Sequence, residues 1–193
     1  MKKRACLLFL FEGFADWEPA LVTAGLNSYS DFEIKTFSPD GKSIKSMGNL
    51  TVKPDLKLDE VRVTDFDLII LPGGNMWEEG GNTEISELVI DAFNKGKTIA
   101  AICAATTFLA KLGLYSIAKH TSNGLEYLKK QVPGYVDEEK YINEPCVEDK
   151  NIITANGAAM IEFACKIFEH FRIMKKEELI YWLKLYKSGG MDY

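Results

Sequence analysis

The chain has 193 residues, 47% of them apolar and 26% charged, which fits a globular protein long enough to bury a sizeable core in a single domain over residues 1–193. Its net charge of −5 argues against a nucleic-acid partner, because such domains carry a basic face. No run of about 18 apolar residues occurs, so no membrane-spanning helix is expected.

Met1-Lys2-Lys3-Arg4 leads into an apolar run that Glu12 and Asp16 break, with no convincing cleavage site. It reads as a first strand, Lys3 to Phe11, in a cytoplasmic protein. Asp16 can cap a helix that begins at Trp17, carries Pro19 in its first turn and ends near Gly25 or Leu26. Phe32 to Phe37 alternates as a second strand, and Ser38-Pro39-Asp40-Gly41 is a turn. Ser46 to Val52 suggests a short hairpin arm. Leu56 to Val61 leads toward Phe66 to Leu71, an apolar strand buried on both faces that stops at Pro72-Gly73-Gly74.

Ile85, Leu88, Val89 and Phe93 recur at helical spacing up to Gly96. Thr98 to Ile102 is then a short apolar strand that runs straight into a helix closing at Gly113. A further helix covers Gly124 to Gln131. Tyr141 to Val147 and Ile152 to Ala155 form a strand pair, joined by a turn around Asp149-Lys150-Asn151. Helices follow over Gly157 to Phe171 and Lys175 to Tyr186, and residues 188–193 read as a frayed tail. Strands that alternate with helices imply a mostly parallel sheet covered on both faces, with the site outside the carboxyl ends of the strands.

Three segments reach those ends. Cys103 stands at the joint between strand and helix, the position of a nucleophile elbow. The N-terminal N–H groups of the following helix are expected to favour its thiolate. The N–H groups of Gly73 and Gly74, unhindered by side chains, can join that of Ala104 in an oxyanion hole. Glu18, in the first turn of the first helix, can share one proton with the thiol and act as general acid and base; Glu12 and Asp16 are nearby alternatives.

The remaining cysteines, Cys6, Cys146 and Cys165, are far apart in sequence without a C-x-x-C pair, which disfavours zinc and a disulfide framework. Cys6 and Cys165 read as core. Of the two histidines, His170 reads as structural, while His120 is the one that could pair with the cysteine or orient a substrate. No metal or organic cofactor is implied, and the G-x-G-x-x-G fingerprint is absent.

These residues carry a resemblance over nearly the whole chain. Phe14-Ala15-Asp16-Trp17-Glu18, Leu68-Ile69-Ile70-Leu71-Pro72-Gly73-Gly74 and Ile99-Ala100-Ala101-Ile102-Cys103 resemble the ThiJ/PfpI family of the class I glutamine amidotransferase-like superfamily, as do Leu109-Ala110-Lys111-Leu112-Gly113-Leu114 and Ile153-Thr154-Ala155-Asn156-Gly157. The resemblance implies a flavodoxin-like three-layer α/β/α sandwich, usually a homodimer. It implies Cys103 as nucleophile, Glu18 as its acidic partner, and Gly74 and Ala104 as the oxyanion hole.

Two family histidines are missing. Asn123 stands in Thr121-Ser122-Asn123 where many members carry one, and Ala104 where the protease-like members carry theirs. Asn123 can orient a carbonyl or a water but cannot act as a base at neutral pH. Proteolysis is therefore disfavoured. The expected activity is that of a small cysteine hydrolase or a glyoxalase-like enzyme on reactive carbonyls, with a small-molecule or peptide substrate. A redox-responsive thiol protein and a non-catalytic binding module are the alternatives.

Overall fold

The computed structural model describes residues 3–191; Met1 and Lys2 at the start of the leader-like run, and the last two residues of the expected tail, lie outside it. Nine strands form: β1 (Ala5–Phe9), β2 (Glu33–Ser38), β3 (Ile44–Lys45), β4 (Thr51–Val52), β5 (Leu56–Lys57), β6 (Leu68–Leu71), β7 (Thr98–Ile102), β8 (Cys146–Asp149) and β9 (Ile152–Ala155). Six helices accompany them: α1 (Trp17–Tyr29), α2 (Ser86–Asn94), α3 (Ala105–Lys111), α4 (Leu125–Gln131), α5 (Met160–His170) and α6 (Lys176–Ser188).

Seven strands make one sheet in the order β5-β2-β1-β6-β7-β9-β8, parallel except for the β8 edge, which runs antiparallel to β9. Every residue of β6 and β7 is buried, as continuous apolar strands covered on both faces require. The fold is the mostly parallel α/β architecture that the sequence pattern predicts.

The chain leaves β1 for β2 on one side and later returns to place β6 on the other. The sheet therefore switches direction between β1 and β6, where a crevice opens at the carboxyl ends. Register completes the arrangement. Leu71 lies opposite Ala101 and Ile102 opposite Ala155, so the residues just beyond β6, β7 and β9 emerge side by side.

Local structure departs from expectation in five places. Helix α1 runs past Gly25 to Tyr29, because Gly25 is a notch rather than a stop: a Cβ there would lie 2.1 Å from Cζ of Phe168 on α5. Asp16 makes no side-chain cap; its Oδ1 instead accepts the Gly48 N–H at 2.9 Å. The strand expected from Tyr141 begins only at Cys146, and Tyr141 makes an isolated bridge to His120. Helix α6 extends to Ser188, and Gly189, left-handed at φ 63°, caps it with its N–H on the Leu185 carbonyl. Cys165 is not sealed in the core either. With Cys146 it lines a groove of about 400 Å³ beside Leu179 and Leu183.

Candidate active site

Cys103 leaves β7 with φ +60°, left-handed for a non-glycine residue, and its N–H still bonds the Ala155 carbonyl of β9 at 2.9 Å. A side chain held in this region stores on the order of 1–3 kcal/mol of backbone strain. Thr106 Oγ1 ties the turn, donating to the Cys103 carbonyl at 2.5 Å. Strand, sharp turn and helix α3 thus lift the thiol out of the sheet edge.

Glu18 reaches the same point from the first turn of α1. Its carboxyl is buried, accepts the Gly73 N–H on Oε2 at 2.5 Å, and lies against the Cys103 thiol. Gly73 is required here by space. A Cβ on it would lie 2.7 Å from the Cys103 Cβ and 2.8 Å from Glu18 Oε2. Gly157, after β9, is a second notch, since a Cβ there would lie 2.7 Å from Sγ. The Pro72-Gly73-Gly74 turn is braced by Trp77, a buried ring whose Nε1 donates to the Pro72 carbonyl at 2.9 Å and which packs on Phe9, Phe11 and Phe108.

Burial dominates the electrostatics. Desolvation pushes the Glu18 carboxyl up to about 7, although the Gly73 N–H and the Cys103 contact pull it down. Desolvation, followed by the Glu18 charge, pushes the Cys103 thiol up to about 11, against the opposing pull of the Asn123 amide and the Ala104 N–H. The thiolate favoured by the sequence reading is thus not the resting form. Helix α3 has only seven residues, and its terminus does not offset removal of the sulfur from water beside a carboxylate. At neutral pH the pair holds the thiol proton, and Glu18 is poised between its two forms.

Asn123 closes the other side. Its Nδ2 donates to Sγ at 3.3 Å, and its Oδ1 accepts the Gly157 N–H at 2.9 Å. The structure therefore gathers Cys103, Glu18, Asn123 and the glycines at one place, with Ala104 adjoining the thiol. It does not bring His120 there. That ring is fully buried, stacked on Tyr115 at 3.7 Å, with Nε2 on the Tyr135 hydroxyl at 2.7 Å and Nδ1 on the Ala118 carbonyl at 3.1 Å. His170 contacts Glu148 at 2.6 Å and Thr98 at 2.9 Å. The carboxylates considered beside Glu18 are engaged elsewhere: Glu12 accepts the Lys45 N–H at 3.0 Å and Asp16 the Gly48 N–H, so both tether the β3–β4 arm. Tyr127, which no local pattern singled out, lies beside Asn123 and donates to Glu78 at 2.6 Å. Among the described residues, no three His, Cys, Asp or Glu side chains gather as a metal site.

A mostly parallel α/β sheet with a strained cysteine and a buried carboxyl at its switch point defines a class of thiol-bearing proteins. Comparison places the chain within it: residues 3–170 match the DJ-1/PfpI family, and the chain belongs to that family. It is 38% identical to the "Uncharacterized protease YoaZ" of Bacillus subtilis, over 100% of this chain and 95% of that one. It is 26% identical to the "Glutathione-independent glyoxalase DJR-1.2" of Caenorhabditis elegans, over 86% and 88%. The crystal structure of a thiJ/pfpI family protein from Bacillus anthracis superposes with a TM-score of 0.91 at 38% identity, covering 97% of this chain and 91% of that one.

Proposed function

We propose that this protein is a cysteine-dependent enzyme acting on small reactive carbonyl compounds, with glyoxalase-like chemistry. The observation that carries the reading is the Cys103–Glu18 contact: a protonated thiol against a buried carboxyl whose pKa lies near 7, with neither histidine in contact with the sulfur. Such a carboxyl is matched to moving protons at neutral pH.

In this reading Sγ attacks the aldehyde carbon of a 2-oxoaldehyde while its proton passes to Glu18. The carbonyl electron pair moves to oxygen, which the N–H groups of Gly74 and Ala104 hold and Glu18 then protonates. The Glu18 carboxylate next removes the C–H proton of the resulting hemithioacetal and delivers it to the neighbouring carbon through an enediol. One carbon is oxidised to a thioester as its neighbour is reduced to an alcohol, so no external oxidant or reductant is consumed. Water then releases a 2-hydroxy acid and returns the proton to sulfur.

Peptide cleavage is less well served, because neither histidine stands at the sulfur as it does in a Cys–His hydrolase. A peroxide sensor needs a standing thiolate, and burial opposes one at Cys103. A cytoplasmic, homodimeric protein acting without a cofactor forms part of the same proposal.

Assay of the purified protein for conversion of methylglyoxal to lactate tests it. Wild type should turn over, whereas Cys103→Ala and Glu18→Gln should fall to background. Equal inactivity of wild type and Cys103→Ala on methylglyoxal, small amides and esters would falsify the enzyme reading.

A further inference from the structure

The Cys103 cleft has a side that the proposed chemistry leaves unused. Tyr127 projects from α4, half-buried, and its hydroxyl donates to Glu78 Oε1 at 2.6 Å across 49 positions of sequence. Glu78 follows the short turn Asn75–Trp77 that extends from Gly74, so this bond ties α4 to the loop after β6. The Tyr127 phenol lies beside the Asn123 side chain, four residues earlier in sequence, and the charge of Cys103 reaches it.

The Asn123 carboxamide has one carbonyl and one NH2, and the two ends are distinguished only by their partners. The Gly157 N–H at 2.9 Å can be accepted only by the carbonyl oxygen, which turns the NH2 toward Sγ at 3.3 Å. An NH2 carries two hydrogens, one for the sulfur and one for another acceptor. The nearby Tyr127 oxygen is the candidate for that acceptor, because its own proton is committed to the Glu78 carboxylate. A phenol that donates to a carboxylate becomes a better acceptor, so a bond from Asn123 to Tyr127 would be reinforced by the Tyr127–Glu78 bond.

We propose that Tyr127, anchored by Glu78, is a positioning residue for the thiol site: it holds the Asn123 carboxamide with its NH2 on Sγ, so that Asn123 stabilises negative charge on sulfur as the proton leaves. The inference rests on Cys103 being the reacting thiol. Glu18 faces the same sulfur from α1 and opposes that charge, which leaves the Asn123 NH2 and the Ala104 N–H as the groups that favour it. In Tyr127→Phe the carboxamide keeps its Gly157 contact but loses the second anchor.

The test is the rate of Cys103 alkylation by iodoacetamide as a function of pH, read by mass spectrometry of the Cys103 peptide, in a double-mutant cycle. Loss of one such hydrogen bond corresponds to a slowing on the order of threefold to tenfold. Tyr127→Phe should show that slowing with an upward shift of the profile, and should have no further effect in the Asn123→Ala background. Wild-type rates in Tyr127→Phe, or the same slowing with and without Asn123, would overturn the proposal.

Glu78→Gln keeps the test decisive should Tyr127→Phe fail to fold, since Glu78 is exposed. Positioning predicts slower alkylation in Glu78→Gln. A purely electrostatic Glu78 predicts faster alkylation, because an anion near the sulfur is removed. Wild-type Cys103 that resists alkylation at every pH would remove the parent reading and this proposal together. A reactive Cys103 indifferent to Tyr127 would remove this proposal alone.

Discussion

Glu18 and Cys103 meet although 85 positions of sequence part them, one in the first turn of α1 and the other at the end of β7. The carboxyl lies against the thiol and accepts the Gly73 N–H at 2.5 Å, in space kept open by the missing Cβ of Gly73. Burial raises the pKa of both groups, so the contact stores a proton rather than a thiolate. In the proposed chemistry that makes Glu18 the base for Cys103, and it also makes Glu18 a burden on the fold when ionised.

The burden has a sign and a pH window. Glu18 titrates near 4.5 in an unfolded chain and about 7 in the native protein. Between those values the native state binds the extra proton, so stability falls as pH rises through the window and levels off above 7. The loss is roughly 3 kcal/mol at about 1.4 kcal/mol per pH unit. Glu18→Gln keeps an acceptor for Gly73 and cannot ionise. Denaturant unfolding should therefore show it more stable than wild type at pH 8 by about 2–3 kcal/mol relative to the difference at pH 4.5. A pH-independent difference would contradict the assignment.

Strain at the elbow gives a second prediction. Cys103 sits at φ +60°, a conformation that glycine adopts without penalty and alanine does not. Cys103→Gly should be more stable than Cys103→Ala by about 1 kcal/mol in chemical denaturation. Equal stability, or a more stable alanine variant, would mean that the turn is unstrained.

How much of this was legible in the sequence follows from the range of each effect. The strand ends at Leu71, Ile102 and Ala155 are marked by local apolar runs and by the breaks after them, while the first run continues to Phe11, two residues past the end of β1; parallel register then brings Glu18, Gly73 and Cys103 together. Gly25 misled because a helix stop and a packing notch look alike until Phe168, 143 positions away in sequence, fills the notch. Asp16 has the look of a cap, but its partner Gly48 lies in an arm whose docking no local pattern reveals. The direction of the Cys103 shift was missed for the same reason. A helix terminus is visible in sequence, whereas desolvation depends on the whole packed structure. Tyr127 and Glu78 left no local signal at all.

His120 supplies a third prediction. Its ring bonds the Tyr135 hydroxyl and the Ala118 carbonyl and stacks on Tyr115, so it belongs to a buried polar cluster rather than to the thiol. His120→Phe keeps a stacking ring but leaves the Tyr135 hydroxyl without that partner. Unfolding free energy should drop by about 1–3 kcal/mol, while Cys103 alkylation in the folded variant stays within about twofold of wild type. A folded His120→Phe protein with an unreactive Cys103 would show that the cluster serves the chemistry after all.

The most direct measurement is the pH profile of Cys103 alkylation in wild type and in Glu18→Gln. Burial, and after it the Glu18 charge, holds the proton on sulfur, so the wild-type profile should rise above the ordinary thiol range, toward about 11. In Glu18→Gln the repelling charge is gone and an amide NH2 can face the sulfur, so the midpoint should move down even as turnover is lost. A midpoint that stays in place or moves up would contradict the account, because Glu18 would then not be coupled to Cys103 as its base.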